Sequence, residues 1–302
     1  MVVAERIDRF LNSEPFRAVV TDEVRHKQGQ REQKRVEKLL NLCINLLPAG
    51  EHGEWGSLPF SGRAANQYNM TAFEAIKGAT PRIVVVLASL RDFQQATRLR
   101  LLPDLFELRL DALCRDLSTI EPPLRKLRAP LIITARHPAE GGVNNLTASR
   151  RQELLLRFLP SATYLDLELR SAAEFQLILA RVRKQKIKLI ISVHDFDRPP
   201  VANRLDAWAL EAALLAPDVF KIVSRTQTDD ELKELVTFFH RTRGRLEISA
   251  MGVGKLGRAS RIYFAAHGSA LNYVHLGNSR SEGQLSLQQM RRFLAPVSNR
   301  RV

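Results

Sequence analysis

From Pro81 onward, short apolar runs alternate with amphipathic stretches, and this alternation restricts the possible folds more than any other feature of the sequence. The runs are rich in β-branched residues and apolar along most of their length, which is typical of parallel strands covered by helices. They predict eight strands, at residues 83–88, 105–110, 131–135, 163–167, 188–193, 219–223, 245–249 and 271–276. The intervening stretches predict helices at residues 149–159, 171–182, 203–215, 229–241 and 285–294.

Eight strand–helix units in about 200–250 residues are the requirement of a (β/α)8 TIM-type barrel. A doubly wound open sheet would need a glycine-rich phosphate-binding turn after its first strand. The segment Leu87-Ala-Ser-Leu-Arg does not supply one. We therefore predict an α/β protein in which residues 81–302 form a (β/α)8 catalytic barrel.

Residues 1–80 differ from the rest and predict a helical or partly disordered N-terminal extension of unknown role. Apolar residues recur at helical spacing from Val36 to Leu47, and residues 50–68 are rich in Gly, Ser, Asn and Pro. Met70 is a candidate for an alternative start of translation. Because every candidate site residue lies after Pro81, we expect the extension to be dispensable for chemistry.

Composition narrows the class of protein. The two cysteines, Cys43 and Cys114, have no metal-ligand spacing and predict reduced thiols. No apolar stretch is long enough for a secretory signal or a membrane span, so we predict a cytoplasmic protein without membrane contact. The formal net charge of +14 is scattered singly and aromatic residues make up only 7%, so nucleic-acid binding is not predicted.

Lys221 lies in the middle of the sixth predicted strand. A buried ammonium is costly unless it is paired or loses its proton, and a neutral amine can condense with a ketone. A single such lysine is often structural. Here, however, the preceding strands end in other polar residues, namely Glu107, Arg109, Arg136, Asp166 and His194. Since barrel chemistry lies at the C-terminal ends of the strands, Lys221 is a Schiff-base candidate.

His194 is the candidate acid–base residue, because histidine exchanges protons near neutral pH and this one ends the strand before Lys221. Glu107 and Arg109 share one face of their strand, where they form either an ion-pair ladder or a ligand contact. After the seventh strand, a glycine-rich basic loop over residues 251–261 is suited to hold an anion through backbone N–H groups and Arg261.

Together these residues resemble the type I 3-dehydroquinate dehydratases over about residues 83–292. The resemblance is carried by Asp104-x-x-Glu107-x-Arg109-x-Asp111, Arg136-x-x-x-Glu140-Gly-Gly, Tyr164-x-Asp166-x-Glu168, Ser192-x-His194-Asp-Phe, Lys221-Ile-Val, Ser260-Arg261, Gly268-Ser269 and Gly283-Gln284. Each motif is weak alone, but all of them in order at strand spacing form a specific pattern.

The resemblance implies that the protein dehydrates 3-dehydroquinate to 3-dehydroshikimate in the shikimate pathway, with no metal and no diffusible cofactor. Lys221 would form the Schiff base, His194 would act as general acid and base, and Glu140 would orient His194. Five residues would bind the substrate: Glu107, Arg109, Arg136 and Gln284 at the ring, and Arg261 at the carboxylate. A homodimer is also expected.

Two departures from the family pattern concern the loops. The last loop commonly contains Ser-Ala-Pro-Gly-Gln, whereas residues 280–284 are Arg-Ser-Glu-Gly-Gln, which makes Arg280 a second candidate for the carboxylate. The run over residues 251–261 is two residues longer than usual. Two alternatives remain open: another Schiff-base barrel enzyme of the class I aldolase type, and a non-catalytic barrel that binds an anion.

Overall fold

A computed structural model describes residues 81–294, so the predicted extension, its helix and Met70 lie outside the described residues. Eight parallel strands form a nearly closed barrel in the order β7-β6-β5-β4-β3-β2-β1-β8. They are β1 (Arg82–Leu87), β2 (Leu105–Arg109), β3 (Leu131–Thr134), β4 (Tyr164–Glu168), β5 (Lys188–Asp195), β6 (Val219–Arg225), β7 (Ile248–Val253) and β8 (Leu271–Val274). The predicted (β/α)8 TIM-type fold is confirmed.

Helices surround the barrel and follow the strands along the chain. They are α1 (Leu90–Thr97), α2 (Leu110–Leu113), α3 (Leu117–Ile120), α4 (Ala148–Phe158), α5 (Gln176–Gln185), α6 (Ala202–Leu214), α7 (Asp229–Thr242), α8 (Gly257–Ala266) and α9 (Leu287–Leu294). The predicted list omitted α1, α2, α3 and α8. None of the helices between residues 81 and 294 has the length and apolar character needed to cross a bilayer.

Side-chain caps fix the start of several helices just after the C-terminal ends of the strands. The Ser89 hydroxyl accepts a hydrogen bond from the Asp92 backbone N–H at 3.2 Å, and Asp92 in turn accepts one from the Ala88 N–H at 3.2 Å. Thr147 and Thr228 cap α4 and α7 in the same way. Such caps satisfy backbone donors that the first helical turn leaves unpaired.

Two separate apolar clusters hold the fold together. The larger lies between the barrel and the helices, and the smaller lies inside the barrel. We call the residues of the smaller cluster near the N-terminal ends of the strands the lower interior; they are Val84, Leu105, Ile132, Tyr164, Ile190, Val219 and Leu271. Burial of this apolar surface on both faces of the strands is the main stabilising contribution.

The barrel closes between β7 and β8, which we call the seam. The other seven neighbouring strand pairs are joined by regular ladders. At the seam, the Ala270 N–H donates to the Ile248 carbonyl at 2.9 Å. The Ser249 hydroxyl donates to the Leu271 carbonyl at 2.6 Å.

The bounds predicted for β7 were wrong by three to four residues. The strand covers Ile248–Val253, so Met251 and Gly252 belong to it, and Arg261 lies within α8 instead of in a glycine-rich loop. Gly252 is needed for close packing within the strand. A Cβ there would lie 2.3 Å from Thr226 Oγ1 and 2.6 Å from Ser260 Oγ.

Candidate active site

The upper interior is the polar continuation of the lower interior toward the C-terminal ends of the strands. Because inward-facing residues recur every second position, polar residues follow an apolar one on the same face of strands β2 to β6. The upper interior comprises Glu107, Arg136, Asp166, Glu168, Ser192, His194 and Lys221. Lys221 pairs in register with Ser192, and His194 pairs with Val223, so the lysine and the histidine lie on neighbouring strands.

Lys221 is buried, and its ammonium group is paired. Its Nζ atom donates to Asp166 Oδ2 at 2.9 Å and lies 3.6 Å from Glu107 Oε1. The same nitrogen lies 3.9 Å from the centroid of the Tyr273 ring. These contacts offset the desolvation of the charge and fix the direction of the amine.

Arg136 is the counter-ion at the centre of the upper interior. Its guanidinium binds Asp166 through both nitrogens, at 3.1 and 2.8 Å, and donates to Glu168 Oε1 at 2.9 Å. Burial alone would lower the pKa of Arg136, but the carboxylates of Asp166 and Glu168 raise it well above its usual value. Burial alone would raise the pKa of Asp166, but Arg136 and Lys221 lower it, so the Asp166 carboxylate stays ionised.

A second buried arginine supports this network from outside the barrel. Arg151 on α4 pairs with Glu168 Oε2 and donates from Nε to the Ala135 carbonyl at 2.7 Å. Glu168 also accepts a hydrogen bond from the His137 backbone N–H at 3.0 Å. Glu168 therefore joins Arg151 to Arg136 and holds the chain that follows β3.

His194 and Glu140 form a hydrogen-bonded pair. Glu140 Oε2 lies 2.9 Å from His194 Nδ1 and accepts the His194 backbone N–H at 3.0 Å. Burial lowers the pKa of His194 well below its usual value, and the positive charges of Arg136 and Lys221 lower it further. Burial raises the pKa of Glu140 to about 7. The imidazole is therefore neutral at pH 7, as a general base must be.

Arg109 turns toward Asp111 and the loop that carries Glu140. Its Nε and Nη2 atoms bind the two Asp111 oxygens at 2.9 and 2.8 Å, and Nη2 also donates to the Gly141 carbonyl at 3.1 Å. Asp111 accepts backbone N–H groups of Arg136 and Val143. Arg109 thus holds the Glu140 loop against β2.

Arg261 is buried without a carboxylate partner among residues 81–294. Its Nη2 donates to Ser281 Oγ at 2.9 Å, Nη1 contacts Met251 Sδ at 3.4 Å, and Nε has no partner in the described part of the chain. Burial lowers the pKa of Arg261 to about 10. A buried cation with free donors is suited to bind an anion.

The last loop brings Gln284 to the same end of the barrel. Gln284 is buried, and its Oε1 atom accepts the Arg280 backbone N–H at 2.8 Å. The Arg280 side chain, a second candidate for a carboxylate by sequence, pairs instead with Asp92, while Glu282 is exposed.

The eight predicted site residues therefore form three groups. Glu107, Arg136 and Lys221 belong to one charge network, His194 and Glu140 form a pair beside it, and Arg261 and Gln284 belong to the β7–β8 side; Arg109 joins the Glu140 loop. Sequence reasoning missed Arg151 and Tyr273. Inward alternation on β8 could have indicated Tyr273, whereas nothing in the sequence distinguishes Arg151 from its exposed neighbours. Between residues 81 and 294, no group of three or more His, Cys, Asp or Glu is arranged to hold a metal ion.

The chain is similar in sequence to a known protein family and to curated proteins. The model of the type I 3-dehydroquinase family matches residues 83–299. The 3-dehydroquinate dehydratase of Thermococcus gammatolerans is 32% identical over 199 residues, which cover 65% of this chain and 89% of that protein. The enzyme of the same name from Methanosarcina barkeri is 30% identical over 205 residues, which cover 63% of this chain and 84% of that protein.

Solved structures of 3-dehydroquinate dehydratases have a fold similar to that of this chain. The 3-dehydroquinate dehydratase of Enterococcus faecalis superposes with a TM-score of 0.62 at 25% identity, over 72% of this chain and 93% of that one. The enzyme from Geobacillus kaustophilus superposes with a TM-score of 0.64 at 22% identity, over 71% of this chain and 90% of that one. The similarity covers the barrel and leaves residues 1–80 unmatched by the family model.

Proposed function

The chain belongs to the type I 3-dehydroquinase family and is a hydro-lyase, and we propose that it removes water from 3-dehydroquinate through an imine on Lys221. The observation that carries this proposal is the buried Lys221 amine, which lies on the strand next to a neutral histidine at the C-terminal end of the barrel. A Schiff base needs such a nitrogen, and the elimination that follows needs such a base.

The first half of the reaction forms the imine. After the ammonium gives up a proton, Lys221 Nζ attacks the C3 carbonyl carbon, and the carbonyl oxygen leaves as water. The protonated imine keeps one positive charge on the nitrogen, which Asp166 and Glu107 can stabilise at the distances that they have from the resting amine. The imine withdraws electrons and makes the proton on C2 more acidic.

The second half is acid–base chemistry at His194. Since Glu140 is hydrogen-bonded to Nδ1, the Nε2 atom is free to take the C2 proton. The resulting enamine expels the C1 hydroxyl, which receives a proton from His194 and leaves as water. A water molecule then hydrolyses the imine, so that 3-dehydroshikimate and the Lys221 amine are released and one water is lost overall.

Substrate binding follows from the donors that remain available. Arg261 has a buried guanidinium without a carboxylate partner in the described residues, which supports its assignment to the substrate carboxylate. Gln284 lies on the same side of the barrel as Arg261, and Glu107 lies 3.6 Å from the Lys221 amine. Both are assigned to the ring hydroxyls. Arg136 and Arg109 are engaged by protein carboxylates, so their contact with the ring stays a prediction.

Two measurements test the reaction. Turnover should raise ultraviolet absorbance as 3-dehydroquinate becomes the conjugated product. Borohydride reduction during turnover should add the mass of the substrate to the peptide that contains Lys221. A label on Lys255 instead would refute the assignment, and cleavage of a carbon–carbon bond in place of dehydration would favour the aldolase alternative.

We also propose that the enzyme is a cytoplasmic homodimer. Leu210 and Leu214 lie one turn apart on α6 and are 70% and 79% exposed, which leaves apolar surface for a second copy. The free thiol of Cys114 suits a reducing compartment. Light scattering should give twice the chain mass, and Leu210→Lys with Leu214→Lys should halve it if α6 forms the interface.

A further inference from the structure

We propose that Arg280 and Asp92 form a latch that holds residues 279–284, here called the lid, over the candidate active site. The inference deepens the proposed function and rests on it, because the lid carries Ser281 and Gln284. Arg280 is assigned as a positioning residue, because its guanidinium binds Asp92 and not one of the candidate site residues. Its Nη2 atom donates to Asp92 Oδ2 at 2.6 Å.

Asp92 is a rigid anchor for this contact. It lies in the first turn of α1, its side chain is only 7% exposed, and its backbone N–H donates to the capping Ser89. The same carboxylate oxygen that binds Arg280 also accepts the Ala88 N–H at 3.2 Å. Because Asp92 is fixed by two local bonds, the pair with Arg280 restrains the lid and leaves α1 in place.

The other side of the lid is attached to α8. Ser281 Oγ accepts the hydrogen bond from Arg261, and the lid backbone lies directly on the start of the helix. A Cβ at Gly283, where φ is +80°, would lie 2.4 Å from the Arg258 backbone nitrogen. Since α8 follows β7 and α1 follows β1, the lid connects the two strands that flank β8 and crosses the seam.

The latch acts on two residues of the site. The Arg280 backbone N–H fixes the Gln284 side chain, and the next residue, Ser281, contacts the guanidinium of Arg261. A site whose polar groups are already ordered loses less conformational entropy when it binds a ligand. Loss of the latch should therefore weaken substrate binding and leave the chemical step at Lys221 unchanged.

The test compares Arg280→Ala, Asp92→Asn and the double variant with wild type. Asn can still accept the Ala88 N–H, so Asp92→Asn removes the charge and keeps the local cap. The matched control is Arg157→Ala, which breaks an ion pair with Glu121 whose arginine is 43% exposed, against 35% for Arg280. The readouts are hydrogen–deuterium exchange of the lid and the separate values of kcat and KM for 3-dehydroquinate.

We expect each single variant to raise KM by about two- to five-fold with kcat unchanged, the range of a partly exposed ion pair. Lid amides should exchange faster by a similar factor in both single variants and not in the control. The double variant should behave like either single one, because the same interaction is lost. Arg280→Lys keeps the positive charge and should restore the wild-type KM and lid exchange in part.

Several results would overturn the latch. If Arg280→Ala raised KM while Asp92→Asn changed nothing, Arg280 would bind the substrate directly. Additive effects in the double variant, or unchanged lid exchange in all variants, would also reject it. If lid exchange rose as expected but the wild-type protein did not dehydrate 3-dehydroquinate, the latch would be supported and the proposed reaction would fail.

Discussion

The lower and the upper interior of the barrel are built on the same strands, yet the lower interior stabilises the fold and the upper interior carries the charged side chains of the site. Leu105 and Val219 pack in the lower interior, while Glu107 and Lys221, two positions later on the same strands, carry the charges of the upper interior. Two residues of strand span roughly 7 Å. Stability and chemistry can thus be separated within one strand by a single step on its inward face.

The two regions also differ in energy. Apolar residues of the lower interior stabilise the fold by leaving water, whereas each buried charge of the upper interior costs desolvation that only good pairing offsets. Changes in the lower interior should therefore reduce stability and spare catalysis. Changes in the upper interior should reduce catalysis and spare stability.

Lys221→Ala should reduce turnover by on the order of 10⁴-fold or more, because it removes the nucleophile and with it the covalent route. Borohydride should trap no adduct. Rate measurement and intact mass after reduction provide the check, with circular dichroism to show that the variant folds. A residual adduct on another lysine would show that Lys221 is not the nucleophile.

His194→Ala should lower kcat by about 10²–10⁴-fold, the usual contribution of a general acid–base residue. Since Lys221 remains, the imine should still form and should accumulate. Mass spectrometry of the variant incubated with substrate should show the adduct. A folded variant that neither traps adduct nor turns over would assign His194 to binding instead.

Ile190→Ala is the matching test in the lower interior. Ile190 is fully buried on β5, two residues before Ser192, and its truncation should cost about 2–4 kcal/mol of the free energy of unfolding. Chemical denaturation should show this loss while kcat changes little. A large fall in kcat with unchanged stability would mean that the two regions are not separate.

Arg261→Ala should raise KM by roughly 10- to 100-fold, since charge-assisted hydrogen bonds contribute about 1.5–3 kcal/mol. Arg261→Lys keeps the charge and loses the fork, so it should recover only part of the loss. Steady-state kinetics with both variants and with Arg280→Ala would check this. An unchanged KM in Arg261→Ala would show that the substrate carboxylate does not bind to Arg261 on α8.

Glu140 should give the enzyme an acidic limb near pH 7. Below its pKa of about 7, the protonated Glu140 donates to His194 Nδ1, which places the imidazole proton on Nε2 and removes the base. The value of kcat/KM should then fall about tenfold per pH unit below 7. In Glu140→Gln this limb should move to lower pH, because the next group to titrate is His194. An unmoved limb would assign it to another group.

Much of the site could be predicted because two periodic rules determine it. Alternation along a strand and the position of chemistry at the C-terminal strand ends bring Glu107, Asp166 and Lys221 together, and in the structure they are in contact. The order of motifs predicted the family, which the comparison confirmed. The roles of the individual residues stay predictions.

The errors arose where tertiary packing decides. Gly252 looked like part of a loop because glycine usually marks turns, but it lies in β7, where Thr226 and Ser260 leave no room for a side chain. The pairing of Arg280 with Asp92 joins residues 188 positions apart, and no local pattern indicates it. Such contacts depend on the closed barrel and cannot be inferred from spacing along the chain.

The network around Lys221 has one further consequence. It combines three acidic and three basic side chains, Glu107, Asp166 and Glu168 with Arg136, Arg151 and Lys221, so its formal charges cancel. An unprotonated amine would leave one negative charge in excess, whereas an ammonium and a protonated imine carry the same single positive charge. Under the proposed reaction, the network therefore stabilises the resting ammonium and the protonated imine alike and disfavours only the unprotonated amine between them, so condensation changes no net charge at the buried site.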